Sequence, residues 1–264
     1  MSLRINNNIE AFNAHRQLTA TSGNVQKSME RLSSGSRINR AADDAAGLAI
    51  SEKLRGQIRG LSQAQRNAQD AVSLVQTAEG SLNEVHSMLQ RVRELAVQYK
   101  AGTLSTSDKA AITAEAQQLM SEIDRIGSGA EFNGIKLLNS ATTITFQVGA
   151  NDTDSSIAVD TKNLKTTVGT IDVSTSTISS IDKAIEDVST LRGTFGAVQN
   201  RLEHTLGNLA TYQENLMASE SRIRDVDMAA EMVNFSKNQI LQQAGTSMLA
   251  QANQAPQGVL SLLR

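Results

Sequence analysis

Several residue types that commonly stabilise or functionalise proteins are missing or rare in this sequence. It has no cysteine, which excludes disulfides and thiolate sites. It has no tryptophan, and aromatic residues make up only 3% of the chain, so it lacks the large anchors that usually fill a round core. Its one proline is Pro256, and residues 1–255 are therefore free of the helix break that proline imposes. These absences favour thin helical layers packed by Ala, Leu, Ile and Val.

Charge balance and hydropathy exclude two further classes of protein. The formal net charge is -2 and the pI is about 6.0, which gives no electrostatic basis for binding nucleic acid. No apolar run approaches the roughly 20 residues that span a bilayer, so membrane insertion is not expected. The N-terminus also lacks the apolar segment of a secretory signal. We therefore expect a cytosolic protein, or one exported by a route that does not use such a signal.

Two long heptad patterns are the strongest structural signal. One column runs from Leu54 to Ala96 in steps of seven, and a second from Ala64 to Tyr99 alternates with it, which is typical of a coiled-coil seam. This pattern predicts a helix from Asp44 to Tyr99. A similar pair of columns, which starts at Ile181 and ends at Val233, predicts another long helix. The principal predicted seam residues are Leu54, Leu61, Val75, Leu82, Leu89, Leu202, Leu209 and Leu216.

Between the two seams the sequence predicts a shorter helix and a β-hairpin region. The cap-rich stretch Ser105–Asp108 begins the helix, and Gly127 and Gly129 end it. Residues 130–175 then show short apolar–polar alternation, and Asn133-Gly134 is a turn signal. Two long helices that flank a short one favour an antiparallel bundle. We predict a mainly α fold, a long antiparallel coiled-coil helical rod with a small β-hairpin region.

The two chain ends carry thin amphipathic stripes. These stripes are Ile5, Ile9, Phe12, Val25, Met29 and Leu32 at the N-terminus, and Phe235, Ile240, Leu241, Met248 and Leu249 at the C-terminus. Because isolated helices are marginal in water, each end needs a partner. We expect the ends to be disordered in the monomer and to pair as coiled-coil helices on assembly. The apolar cluster 259–263 follows Pro256, so we expect it to have no long helix of its own.

No constellation of residues predicts catalysis. His15, His86 and His204 are too scattered for a metal-binding spacing, and Asp225 and Asp227 do not face one another on a helix. No glycine pattern typical of phosphate or dinucleotide binding is present. We therefore predict no catalytic, cofactor or metal residue, and a protein that is not an enzyme.

Specific strings along the chain resemble bacterial flagellin. They are MERLSSG at 29–35, RINRAADDAAGLAIS at 37–51, LQRVRELAVQ at 89–98, EFNG at 131–134, SRIRDVDMA at 221–229, QANQ at 251–254 and VLSLLR at 259–264. The resemblance covers nearly the whole chain. It implies a structural subunit that self-assembles into the extracellular flagellar filament, for motility, after export through the flagellar type III apparatus.

The same resemblance implies a domain arrangement. Residues 1–43 with 225–264 would form an inner-tube domain, and 44–224 an outer rod domain that includes the hairpin region 130–175. The middle of the chain is too short for a variable outer domain.

The resemblance also implies partners and the residues that meet them. The partners are neighbouring copies, the filament cap and hook-junction proteins, a C-terminal export chaperone and the host flagellin-sensing Toll-like receptor. The assembly and chaperone-binding terminus is Val259, Leu260, Leu262, Leu263 and Arg264. The receptor surface is Arg91, Leu95 and Gln98 on one helix face, with Glu115 on the next helix. Arg91 would offer charge-assisted bonds, and Leu95 an apolar anchor.

Three alternatives remain open on sequence grounds. A hook–filament junction protein resembles flagellin at both ends, although here the match persists through the long helices. An enzyme built on flagellin ends would need an inserted H-E-x-x-H string, which this chain does not have. A cytosolic coiled-coil scaffold would share the heptads but stay inside the cell.

Overall fold

The computed structural model describes residues 8–151, 155–169 and 171–262, and for 255–262 it describes the backbone only. The elements in chain order are α1 (Ile9–Ser34), α2 (Ala45–Tyr99), α3 (Thr106–Gly129), β1 (Glu131–Phe132), β2 (Ile135–Lys136), β3 (Thr143–Gln147), β4 (Ser156–Asp160), α4 (Leu164–Val168), α5 (Ile178–Arg224) and α6 (Met228–Leu262). The prediction of a mainly helical fold with a small β region is confirmed.

The chain divides into two compact units. The terminal unit is Met1–Gly56 with Leu216–Arg264, and the central unit is Gln57–Asn215. The divisions therefore lie inside α2 and inside α5, several residues away from the helix ends.

Long antiparallel helices build the core of the central unit. Arg93 of α2 bonds Asp182 of α5 at 2.5 Å, and Glu79 lies 3.8 Å from Arg192. Residue numbers in these pairs rise along α2 as they fall along α5, so the two helices are antiparallel. Most of both predicted columns is buried here, together with α3, the hairpins and α4 in one continuous apolar cluster.

The eight principal seam residues differ in burial according to their unit. The buried ones are Leu61, Val75, Leu82, Leu89, Leu202 and Leu209. Leu54 and Leu216, which belong to the terminal unit, are only half-buried. Tyr212, in the second predicted column of α5, is exposed. The tight seam is therefore a property of the central unit.

The β region consists of two antiparallel hairpins. β1 pairs with β2 across the Asn133-Gly134 turn, in which both residues have positive φ, as short hairpin turns require. β3 pairs with β4 in the register Phe146 to Ile157. Ile157 and Val159 are buried and their neighbours along β4 are exposed, so this hairpin covers the core with one face. The short α4 that follows was not predicted.

Two predicted helix boundaries are wrong. The second heptad pattern continues to Val233, but α5 ends at Arg224 and α6 begins at Met228. Asp227 caps the new helix, because its Oδ1 accepts hydrogen bonds from the N–H groups of Ala229 and Ala230 at 2.9 and 3.1 Å. The second error concerns Pro256, which does not end a helix: α6 runs through it to Leu262.

The prediction that the N- and C-terminal helices pair with each other is confirmed, because α1 and α6 are regular helices packed against each other. Each helix thus has a partner within the same subunit. Disorder of the chain ends in the free monomer before assembly stays a prediction.

Candidate assembly and recognition surfaces

In the terminal unit, α1 and α6 form an antiparallel pair. A Cβ placed on Gly245 would lie 3.3 Å from Leu18 Cδ1, so the two helices approach closely at this level. Toward the other end of α1, Arg31 Nη1 lies 3.6 Å from Glu231 Oε2. Glycine at the first contact is what allows the close approach.

The side chains between α1 and α6 are mostly small or polar. On α6 the shielded positions repeat in a heptad, which consists of Glu231, Phe235, Asn238, Gln242, Gly245, Leu249 and Ala252. On α1 they include Ala11, Ala14, Leu18, Thr21, Val25, Ser28 and Leu32. Polar residues at coiled-coil seam positions specify the pairing at a cost in stability. The seam between the chain ends is therefore selective and weakly apolar.

Large apolar side chains of the terminal unit point outward instead. Among the described residues 14 large apolar side chains are exposed, and 11 of them belong to this unit. Phe12 is 72% exposed and Ile240 is 66% exposed. The outward set is Ile9, Phe12, Met29, Ile50, Met217, Met228, Met232, Val233, Ile240, Leu241 and Met248. Concentrated exposure of this kind marks an interaction surface. We call this set the outward apolar face.

One apolar side chain is buried among the described residues of the terminal unit. This is Ile38, in the segment that joins α1 to α2. A Cβ on Gly47 would lie 2.9 Å from Ile38 Cδ1 and would also clash with Asp44 Oδ2, so glycine makes room for the packing. A unit with so little buried apolar area must be held together largely by polar contacts.

Backbone hydrogen bonds join the two helix interruptions of this unit. The chain leaves α1 through Gly35, whose φ is 70°, the left-handed region that glycine adopts readily. Gly35 then accepts a hydrogen bond from Val226 N at 3.0 Å, and Arg37 N donates to Arg224 O at 2.6 Å. The segment after α1 and the segment after α5 are thereby fixed to each other.

Ion pairs add to these contacts. Lys27 lies 2.8 Å from Asp43, and Arg224 lies 2.6 Å from Glu52. The hydrogen bond from Lys27, followed by the backbone N–H of Arg40, lowers the pKa of the Asp43 carboxyl to about 2. The hydrogen bond from Arg224 lowers the pKa of Glu52. Both carboxylates are therefore ionised in the folded protein at neutral pH.

Arg91 forms hydrogen bonds with two carboxylates on the surface of the central unit. Its Nε and Nη2 donate to Glu115 Oε1 at 3.1 and 2.9 Å, and its Nη1 donates to Glu94 at 3.0 Å. The hydrogen bond with Glu115, then that with Glu94, raises the pKa of Arg91. The structure thus brings together Arg91 and Glu115, which lie on different helices. Gln98 is exposed on the same helix as Arg91.

The expectation that Leu95 is a surface anchor is wrong. Its side chain is 1% exposed and belongs to the apolar core. The reason is α3, which packs along this side of α2, as the pair of Arg91 and Glu115 shows, and widens the buried stripe beyond the two heptad columns.

The predicted C-terminal site lies largely beyond what the structure describes. Leu263 and Arg264 are outside the described residues, and for Val259, Leu260 and Leu262 only the helical backbone of α6 is described. That backbone corrects the view that the cluster lacks a long helix.

Among the described residues, three or more His, Asp or Glu side chains that could hold a metal ion do not come together. A cavity of about 520 Å³ opens between the β3–β4 hairpin and α5, where Arg201, His204 and Tyr212 line it without a carboxylate. In the same part of the chain, no helix combines the length and apolar character needed to cross a membrane.

Sequence reasoning predicted that the terminal helices pair but missed the small and polar residues that α6 contributes to the contact. Glu231, Asn238, Gly245 and Ala252 are spaced by seven, and this spacing is visible in the sequence. A pattern of large apolar residues does not include them.

Comparison with known proteins identifies the family. The bacterial flagellin N-terminal helical region matches residues 5–143, and the bacterial flagellin C-terminal helical region matches residues 178–263. Flagellin of Halalkalibacterium halodurans is 54% identical, and the alignment covers 98% of this chain and 99% of that protein.

Two solved structures resemble this chain. The crystal structure of Bacillus cereus flagellin is 34% identical with a TM-score of 0.50, and covers 55% of this chain and 88% of that one. A putative flagellar hook-associated protein from Vibrio parahaemolyticus has a TM-score of 0.59 but only 12% identity, and covers 69% of this chain and 100% of that one. It shares the fold alone, so the junction-protein alternative is not favoured. The chain belongs to the bacterial flagellin family and is a structural subunit of the flagellar filament.

Proposed function

We propose that the terminal unit makes the principal contacts between subunits of the filament, through its outward apolar face. The observation that carries this proposal is the polarity of the α1–α6 pair, where most shielded residues are small or polar and most large apolar side chains face solvent. Burying one such side chain contributes about 1.5–3 kcal/mol. Each subunit repeats the contribution, so neighbouring copies supply the cover that the single chain lacks.

Substitution of Ile240 tests this proposal. Ile240→Asp should leave the helix content of the monomer unchanged and abolish filament formation, measured by sedimentation and electron microscopy. Gln239→Asp, at the adjacent exposed position of the same helix, should still polymerise. Normal filaments from the Ile240→Asp variant would contradict the proposal.

We also propose the division of the filament into two layers. Residues 1–43 and 225–264 form the inner tube, and 44–224 form the outer rod domain with the hairpin region 130–175. The absence of cysteine allows a labelling test on assembled filaments. Thr145→Cys, on the exposed side of β3, should react with a bulky maleimide, whereas Gln243→Cys should be protected. Equal labelling of the two variants would refute the layer assignment.

Export follows the flagellar route in this proposal, without a cleaved secretory signal. The apolar terminus 259–264 binds an export chaperone in helix-in-groove fashion, and the filament cap and hook-junction proteins meet the same helical ends. Intact-mass measurement of filament subunits should show no loss of an N-terminal segment. Titration with the purified chaperone should give binding to the full chain and none to a chain ending at Gly258. Equal binding would remove the terminus from the site.

A recognition surface for the flagellin-sensing Toll-like receptor is proposed around Arg91, Gln98 and Glu115. The exposed pair of Arg91 and Glu115 offers a positive and a negative charge to a partner. The partner would form charge-assisted hydrogen bonds with both side chains. Arg91→Ala should lower signalling by monomer in a receptor reporter assay, while Arg59→Ala, an exposed arginine on the same helix, should not. Unchanged signalling by Arg91→Ala would exclude that residue.

A further inference from the structure

Pro256 lies inside α6 and removes one hydrogen bond from it. In an α-helix each carbonyl accepts from the N–H four residues later, and proline has no N–H. The carbonyl left without its helical donor is that of Ala252. A proline at such a position is ordinarily costly, because a shielded carbonyl without a donor loses the free energy of a hydrogen bond.

The side chain of Asn8 supplies the missing donor. Asn8 Nδ2 donates to Ala252 O at 2.7 Å, although the two residues are 244 positions apart in the chain. The same side chain is the N-cap of α1, since its Oδ1 accepts from Ala11 N at 3.1 Å. One amide therefore begins α1 and completes α6.

These two contacts single out one alignment of the helices. Shifting α6 along α1 by a heptad moves it about 10 Å, which takes the Ala252 carbonyl out of reach of Asn8. Carbonyls of neighbouring α6 residues have helical donors of their own, so they offer Asn8 less. Because most seam side chains are small or polar, their sizes distinguish poorly between alternative alignments of α1 on α6. A defined contact at the helix end is therefore more important. At the opposite end of α1, Arg31 and the buried Glu231 form a second contact.

We propose that Pro256 frees the Ala252 carbonyl for Asn8, and that this hydrogen bond sets the alignment of α1 on α6. Asn8 acts here as a positioning residue. The proposal concerns the pair within one chain and does not rest on the proposed assembly face.

Cysteine trapping measures the alignment directly, since the chain has no cysteine. A Cβ on Gly245 would lie 3.9 Å from Leu18 Cβ, within the 3.5–4.5 Å typical of a disulfide. Leu18→Cys with Gly245→Cys therefore reports the observed alignment. Leu18→Cys with Asn238→Cys, or with Ala252→Cys, reports a shift of one heptad in either direction.

Asn8→Asp separates the two roles of Asn8, because aspartate caps a helix as well as asparagine but has no amide to donate. In the full-length protein, Asn8→Asp should lower the ratio of the 18–245 disulfide to the shifted disulfides about fivefold, the factor that corresponds to a hydrogen bond of about 1 kcal/mol. In a Pro256→Ala background, where residue 256 supplies the helical N–H, the same substitution should change this ratio less than twofold.

Three results would overturn the proposal. The first is an equal effect of Asn8→Asp in both backgrounds, which would leave only its new charge as the cause. The second is an unchanged ratio of the 18–245 disulfide to the shifted disulfides in the Asn8→Asp variant. The third is absence of that disulfide in the protein that keeps Asn8 and Pro256. Polymerisation of the same variants, measured separately, would report on the proposed assembly face instead.

Discussion

Gly127 of α3 lies directly against Leu164 of α4: a Cβ on Gly127 would be 3.1 Å from Leu164 Cδ2. Leu164 is buried in the apolar core, so it has little room to move. Gly127→Val should therefore destabilise the central unit by about 1–3 kcal/mol through overpacking. Gly129→Val is the matched control, because a Cβ there meets nothing within 4 Å. Thermal unfolding followed by circular dichroism should separate the two variants, and equal midpoints would contradict the close packing.

The α2–α5 seam should not tolerate a charge. Leu202 is fully buried in the core, whereas the next residue, Glu203, is exposed and accepts a hydrogen bond from Gln199. Leu202→Asp should cost several kcal/mol, because it buries an unpaired charge and removes apolar contacts. Glu203→Ala should change the unfolding free energy by less than about 0.5 kcal/mol. Denaturant titration of both variants measures the difference, and similar midpoints would disprove the seam.

Acid should weaken the terminal unit through Asp43. Its pKa is lowered to about 2 from 3.8, so its pairing stabilises the folded state above pH 3.8. That contribution is lost as the pH falls from there through about 2. Asp43→Asn should accordingly lower the melting temperature at pH 6, and the difference from the original protein should shrink as the pH falls from 3.8 to about 2. Asp70→Asn, at an exposed position of α2, serves as the control. A difference that stays constant down to pH 2 would show that the carboxylate charge is not responsible.

The sequence predicted α2 almost to the residue because its heptads bury large apolar side chains in one contiguous core. It failed at Leu95, because a heptad pattern identifies the stripe that faces one neighbour and cannot show that α3 shields the adjacent stripe. It failed again after Arg224, where the heptad spacing continues but Val226 is diverted by its hydrogen bond to Gly35, 191 positions away by residue number. Such a contact leaves no local signal.

The chain ends illustrate a different limit. Their apolar residues were recognised correctly, and Phe235 and Leu249 do lie in the seam. The stripes did not show that Ile240 and Met248 face solvent while Glu231 and Asn238 occupy seam positions. Polar residues in a seam contribute to the specificity of helix pairing. The hydropathy of single residues does not reveal this contribution. Pro256 misled for a related reason, since its cost is offset by Asn8 at the far end of the chain.

Ile38 is the sole buried apolar side chain among residues 8–56 and 216–254, and this has a thermodynamic consequence. Because the proposed subunit contacts complete this unit, its stability should be linked to subunit concentration by mass action. Calorimetry should resolve two transitions. The one that belongs to the central unit should keep its midpoint over a hundredfold dilution, and the one that belongs to the terminal unit should rise with concentration. Folding of the chain ends should therefore be coupled to assembly and cooperative between subunits.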